Sequence, residues 1–179
     1  MTRFFITASQ GSFLTVLPVA RTRDEAHLYM DLHGCPECGG VDVSWAEALV
    51  DRSGVLARRY HGSCRACGRS REFVFALPDR PTPPRAGEHV TFGSDTSRLF
   101  DAGQWVEIAD MLTLAAGLSD PDSARIAAAC LDEALKFCPE GAAELPDEAF
   151  WSPAGLAFRA RSPERFRRAD LLARRAALA

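Results

Sequence analysis

The sequence predicts an α+β protein with a β-rich N-terminal domain, residues 1–77, and an α-helical C-terminal domain, residues 94–179. Short runs of β-branched and aromatic residues favour strands in the first domain. Apolar side chains at three- and four-residue spacing favour helices in the second. The two domains are joined by residues 78–93, in which four prolines between positions 78 and 87 exclude a continuous helix or a central strand. We therefore expect a semi-rigid, proline-rich connector.

Strands are expected at 41–45, 55–60 and 72–77, where β-branched and aromatic residues concentrate. Residues 51–54, Asp-Arg-Ser-Gly, are typical of a turn and separate the first two of these strands. Further strand-like segments at 3–8 and 13–19 could pair with each other, and residues 24–30 could form a short helix.

Helices in the second domain are predicted from their start signals and apolar stripes. Ser94 or Asp95 could cap the first helix, which we expect over 104–116. Aspartate or serine followed by proline marks three further starts at 120, 152 and 162. The helix after the first of these signals should run to Cys138, and the last helix should run to about residue 178. The side chains expected to be buried in the last helix are Phe166, Ala169, Leu172 and Ala173 or Ala176.

Two Cys-x-x-Cys-Gly motifs, Cys35 to Gly39 and Cys64 to Gly68, are the strongest chemical signal in the chain. Two residues between the cysteines allow a tight turn to aim both sulfurs at one point, and the glycine allows positive φ. Four such thiolates suit tetrahedral zinc, and a closed set of four protein ligands indicates a structural ion rather than a catalytic one. The expected zinc ligands are Cys35, Cys38, Cys64 and Cys67.

Other interpretations of the motifs remain open at the level of sequence. A redox dithiol pair and an iron–sulfur cluster are the main rivals to zinc. His33 and His61 lie close enough along the chain to replace a cysteine ligand, although a loop histidine is the simpler interpretation. The motifs together with the flanking strands predict a zinc ribbon, a type of module that serves nucleic-acid, protein and purely structural roles.

Charge is unevenly distributed along the chain. Residues 52–71 contain six arginines and no acid, residues 101–148 contain eleven acids and two bases, and residues 159–175 contain seven arginines and two acids. The basic stretch could bind phosphates, which gives the alternative of a nucleic-acid-associated regulator. The acidic stretch could instead steer a basic protein partner, or the patches could simply neutralise one another. The candidate nucleic-acid contacts are Arg58, Arg59, Arg65 and Arg69.

Composition narrows the class of protein. The chain has 179 residues, 47% of them hydrophobic, and a net charge of −3, so no global basic excess draws it toward nucleic acid. Arginine strongly outnumbers lysine, which favours a GC-rich, bacterial coding sequence. No segment is long and apolar enough to span a bilayer, and paired thiols fit a reducing cytoplasm. Buried packing is expected for Cys130 and Cys138, and Trp45, Trp105 and Trp151 are expected to be anchors of the core or of the interface between the two domains.

Catalytic motifs do not stand out. There is no nucleophile elbow, P-loop, dinucleotide fingerprint or zinc-protease helix, and the four histidines are scattered through the β-rich domain and the connector. We therefore expect a non-catalytic protein.

The two motifs, preceded by Leu-Tyr-Met-Asp-Leu-His-Gly at residues 28–34, resemble those of the bacterial double-CxxCG proteins. The resemblance covers residues 25–77. That group includes cytoplasmic immunity partners of toxins used in bacterial competition. The resemblance implies that the ribbon is a scaffold and that the protein binds and blocks a toxin. Under this hypothesis the acidic helices offer the binding surface, with Asp132, Glu133, Glu144 and Glu148 as candidate contacts.

Overall fold

The computed structural model describes residues 16–80, 90–116 and 121–178. Within these ranges it contains five α-helices and one three-stranded antiparallel sheet, which confirms a mixed α+β protein. None of the described helices is both long enough and apolar enough to cross a membrane. The elements are α1 (Arg23–Leu32), β1 (Ala46–Arg52), β2 (Val55–Ser63), β3 (Ser70–Ala76), α2 (Ala102–Ala116), α3 (Pro121–Leu135), α4 (Pro153–Arg161) and α5 (Arg168–Ala176).

The sheet has the order β1-β2-β3, and its first hairpin is set by the expected turn. Ser53 and Gly54 have φ values of 56° and 83°, so this two-residue loop places Arg52 opposite Val55. The strand expected at 41–45 is wrong, because the turn pairs the residues next to it, Ala46–Arg52, with β2. Only Val43 of the expected strand pairs, in an isolated bridge to Cys64.

The N-terminal strand predictions lie mostly outside the described residues. The segment 3–8 and the first part of 13–19 are not described, so their mutual pairing stays a prediction. Val19 forms a parallel bridge with Ala76, and the amide of Ala76 donates to the carbonyl of Pro18 at 2.9 Å. The short helix expected at 24–30 is confirmed as part of α1, which Thr22 caps by accepting from the amide of Glu25.

One buried apolar cluster contains side chains from both sides of residues 78–93. The sheet and α1 contribute Met30, Tyr60 and Phe75, and the residues after the connector contribute Phe100 and Trp105. The division into domains at 1–77 and 94–179 stays a prediction.

A buried ionic network crosses the same boundary. The guanidinium of Arg21 pairs with Glu25 at 2.7 Å and with Glu133 of α3 at 2.9 Å. Ser97 donates to Glu25 at 2.6 Å, and Lys136 pairs with Glu133 at 2.5 Å. Because these carboxylates are almost fully buried, each needs its cations to offset the loss of hydration.

The start of α2 differs from the expectation. Neither Ser94 nor Asp95 caps this helix, which begins at Ala102. Asp101 accepts from the amide of Gln104 at 2.8 Å, and the Gln104 side chain accepts from the amide of Asp101 at 3.1 Å. This is a capping box, and the Asp-x-x-Gln spacing was present in the sequence.

The other helix starts largely follow their proline signals. α3 begins at Pro121 and α4 at Pro153, with Ser152 accepting from the amide of Gly155 at 2.9 Å. The signal at Ser162 yields only a 3-10 turn, Pro163–Phe166. The helix that follows Pro121 ends at Leu135, short of the expected Cys138.

The burial expected for the last helix is partly wrong. Phe166 is buried as predicted, but Leu172 is 45% exposed and Leu171 is fully buried. Ala169, Ala173 and Ala176 are also exposed. The reason is that the segment is not one continuous helix. The 3-10 turn and the extended Arg167 separate Phe166 from α5, so the residues of α5 that face the core differ from those expected for a single helix.

Candidate metal centre

The two Cys-x-x-Cys-Gly motifs form matching turns. The amide of Gly39 donates to the carbonyl of Cys35 at 2.7 Å, and the amide of Gly68 donates to that of Cys64 at 2.8 Å. Gly39 and Gly68 have φ values of 72° and 74°, which a side chain would disfavour. The sequence therefore builds two copies of one local structure, each aiming two sulfurs in the same direction.

The turns bring four sulfurs together. The Sγ atoms of Cys35, Cys38, Cys64 and Cys67 all lie within 4.8 Å of one another. The shortest separations run between the turns, with Cys35 3.6 Å from Cys67 and Cys38 3.6 Å from Cys64. All four are free thiols, since a disulfide needs about 2.05 Å between sulfurs. The donor set suits a soft cation such as zinc in tetrahedral coordination.

Strands β2 and β3 hold the second turn, and backbone contacts attach the first turn to it. Cys64 follows β2 directly, and its amide donates to the carbonyl of Arg69 at 2.9 Å. The amide of Arg65 donates to the carbonyl of Asp42 at 2.9 Å. Across the cluster, Arg69 pairs with Glu37 at 2.5 Å. Peptide groups and one surface ion pair thus link the two turns.

Gly40 lets the chain pass close to the sulfurs. A Cβ built at this position would lie 3.4 Å from the Sγ atoms of both Cys38 and Cys64. Gly34 has a similar role at the other end of the first turn, because a Cβ there would lie 2.5 Å from the carbonyl oxygen of Gly39.

Neighbouring amides prepare two of the thiols for ionisation. The backbone amide of Glu37 is the main cause that lowers the pKa of the Cys35 thiol to about 7. The amides of Cys67 and Ala66 lower the pKa of Cys64. The amide of Arg69 also favours the Cys67 thiolate, but its contacts with Cys38 and Cys35 raise the pKa of Cys67 to about 12. Four thiolates in this space therefore need a cation to hold them together.

Neither histidine near the motifs joins the sulfurs. Among the described residues, the cluster of potential metal ligands at this place contains the four cysteines alone. The ring of His33 stacks on Tyr29 with centroids 4.0 Å apart, and its Nδ1 lies 2.7 Å from the Tyr29 carbonyl oxygen. His61 lies within β2.

Arg71 supports the first turn, and sequence reasoning did not single it out. It is 6% exposed, and its guanidinium carbon lies 5.6 Å from the ring centre of Trp45 and 5.2 Å from that of Phe73. From there it donates to the carbonyl of His33, two residues before Cys35. An arginine in a strand gives no sign of this role, because Trp45 and the carbonyl of His33 come from other segments of the chain.

The candidate nucleic-acid arginines are all engaged with acids. Their carboxylate partners come from neighbouring strands and turns, outside the acid-free window of 52–71. The pairs are Arg58–Glu47 at 3.2 Å, Arg59–Glu72 at 3.8 Å, Arg65–Asp42 at 3.4 Å and Arg69–Glu37 at 2.5 Å. The folded chain therefore offsets much of the charge that the sequence displays as a basic run.

Of the four candidate partner-binding acids, one is buried and three lie at the surface. Glu133 is 4% exposed and belongs to the buried network with Arg21, so its assignment as a surface contact is wrong. Asp132 pairs with Arg175 at 3.1 Å and Glu144 with Arg167 at 3.4 Å, both at the surface. Glu148 is exposed.

The remaining cysteines and tryptophans divide between core and surface. Cys130 and Cys138 are buried as expected, and burial raises the pKa of Cys130. Trp105 is fully buried and Trp45 packs against the core, but Trp151 is 46% exposed and so is not a core anchor.

Comparisons with known proteins gave no relative. No protein-family model matches the chain, and neither a curated protein nor a solved structure does.

Proposed function

We propose that the four cysteines hold a structural zinc ion in a zinc-ribbon module and that the protein acts by binding another protein, without catalysis. The observation that carries the proposal is the convergence of four sulfurs from two matched turns. Four thiolates complete the tetrahedral shell of zinc and leave no position for a substrate or a water. Free thiols also favour the reducing cytoplasm as its compartment.

In its sharpest form, the proposal is that the protein is an immunity protein that neutralises a bacterial toxin. The resemblance of the two motifs to those of the double-CxxCG proteins suggests this role. Of the candidate carboxylates, Glu148 is exposed and compatible with a basic partner, whereas Asp132 and Glu144 already pair with Arg175 and Arg167.

The alternative of a nucleic-acid-associated regulator receives less support. Each of its four candidate arginines already has a carboxylate within 4 Å. Binding phosphates would mean competing with these carboxylates, which lowers the electrostatic gain from releasing counterions.

The metal part of the proposal is tested by Cys38→Ser, with Cys138→Ser as the matched control. Cys138 lies outside the cluster, and its Sγ is 3.5 Å from the carbonyl oxygen of Ala142, a contact that a serine hydroxyl can also make. We expect one zinc per chain in the wild type and in the control. Cys38→Ser should lose the metal and melt at a lower temperature, because the binding free energy of such a site contributes to folding. Full metal content with an unchanged melting temperature in Cys38→Ser would refute the zinc assignment.

The binding part is tested by a tagged pull-down from nuclease-treated lysate of the source organism. A stoichiometric protein partner supports the proposal, and the partner is then assayed for toxicity with and without this protein. Recovery of nucleic acid alone, when nuclease is omitted, would favour the alternative. In that case binding should weaken steeply with salt and on substitution of Arg58, Arg59, Arg65 and Arg69.

A further inference from the structure

An exposed aromatic residue marks the start of α4. Trp151 is 46% exposed and Leu156 is 50% exposed. Since Ser152 is the N-cap, these residues occupy positions N′ and N4, whose side chains commonly pack together. The Trp151 ring also lies against Phe137, with ring centroids 5.8 Å apart. We call Phe137, Trp151 and Leu156 the Trp151 patch.

The backbone beneath the patch is firmly held. The amides of Trp151 and Ser152 both donate to Oδ2 of Asp101, at 3.0 and 2.7 Å. Asp101 is fully buried and also caps α2. An aromatic side chain on such a backbone loses little conformational freedom on binding, which favours its use as an anchor.

Two carboxylates lie close to the patch along the chain. Glu140 follows Phe137 by three residues, and Glu148 precedes Trp151 by three, so each lies within about 11 Å of a ring-bearing backbone position. Both are exposed. Within the part of the chain that the structure describes, neither forms an ion pair, whereas their neighbours Glu144 and Asp147 pair with arginines. Two exposed acids near the patch in the chain are therefore without a cation partner among the described residues.

We propose that the Trp151 patch, with Glu140 and Glu148 at its edge, is the docking surface for a basic segment of a partner protein. An arginine of that segment would stack on Trp151 and pair with one of the two carboxylates, and its apolar residues would cover Leu156. Negative charge disfavours nucleic acid at this place, and it disfavours a second copy that would bring the same glutamates together. This inference rests on the proposed protein-binding function and adds to it the location and the charge of the partner.

The test uses the purified full chain and a short synthetic peptide of alternating arginine and leucine. A peptide of the same length with glutamate in place of arginine is the control. In a proton–nitrogen correlation spectrum, the indole signal missing from Trp151→Phe identifies Trp151. We expect this signal to shift on titration with the arginine peptide and to remain unchanged with the glutamate peptide.

Substitutions test whether the arginine peptide binds at the Trp151 patch. Trp151→Ala, and separately the pair Glu140→Gln with Glu148→Gln, should each weaken peptide binding about tenfold or more. Two exposed residues at other places give matched controls: Leu49→Ala, which removes an apolar side chain, and Glu164→Gln, which removes a charge, should leave binding unchanged. Each variant is checked for an unchanged melting temperature.

Three results would overturn the inference. The first is a Trp151 signal that does not respond to the arginine peptide. The second is a partner from the pull-down that binds Trp151→Ala with unchanged affinity, which would refute this surface and leave the proposed function standing. The third is self-association in sedimentation that Trp151→Ala abolishes, which would assign the patch to a second copy.

Discussion

Asp101 links two helices through one buried carboxylate, and its removal gives a sharp test of the fold. Oδ1 accepts from the amide of Gln104, and Oδ2 accepts from the amides of Trp151 and Ser152. Replacement by alanine would leave three backbone donors without their acceptor. A buried unsatisfied donor costs about 1–3 kcal/mol, so with incomplete additivity we expect Asp101→Ala to lower the free energy of unfolding by about 3–6 kcal/mol.

That loss is large against the total stability of a domain, which is about 5–15 kcal/mol. For a chain of 179 residues, each kcal/mol corresponds to about 2–4 °C, so the melting temperature should fall by at least about 6 °C. Asp101→Asn keeps the shape but turns an amide group toward the backbone donors, so it should also be strongly destabilising.

The assay is urea unfolding followed by circular dichroism, with Asp147→Ala as the matched control. The Asp147 side chain is 88% exposed and pairs with Arg159 at 2.5 Å. An exposed ion pair contributes about 0–1 kcal/mol, so the control should unfold almost as the wild type does. Equal unfolding midpoints for Asp101→Ala and Asp147→Ala would show that the Asp101 bridge does not stabilise the fold as argued.

Two further substitutions test other buried contacts. Glu133→Ala should lower the free energy of unfolding by about 1.5–3 kcal/mol, because buried Arg21 keeps Glu25 but loses its second carboxylate. Asp132→Ala removes only a surface ion pair with Arg175 and should lower the free energy of unfolding by less than about 1 kcal/mol. Similar melting temperatures for the two variants would contradict the buried network. Gly155→Ala places a Cβ against the Asp101 carboxylate and should cost about 2 kcal/mol or more, against about 1 kcal/mol for Gly54→Ala, where φ is 83° but the space is open. If Gly54→Ala unfolds at a lower urea concentration than Gly155→Ala, the close approach of α4 to Asp101 is wrong.

The metal cluster was predictable because its geometry is local. Each motif encodes its own turn through residue spacing and a glycine, and the β1–β2 hairpin brings the segment before β1 beside the end of β2, where the second turn begins. The position of β1 was not predictable from composition, because Ala46–Arg52 has few residues that favour strands. Its place is decided by the Ser53–Gly54 turn and by pairing with β2, which override local preference.

The distribution of charge on the surface was less predictable, because a charged residue can pair with a partner from a distant segment of the chain. Arg58 belongs to a run without acids, yet Glu47 faces it from the neighbouring strand. Glu133 belongs to an acidic run, yet Arg21 reaches it from far earlier in the chain. Most charges in both runs are offset in this way once the chain folds. The charges that matter for recognition are those left uncompensated, and Glu140 and Glu148 are such a pair among the described residues. Their exposure within three residues of Phe137 and Trp151 along the chain, rather than the number of acids in the sequence, is the reason to look for a basic partner there.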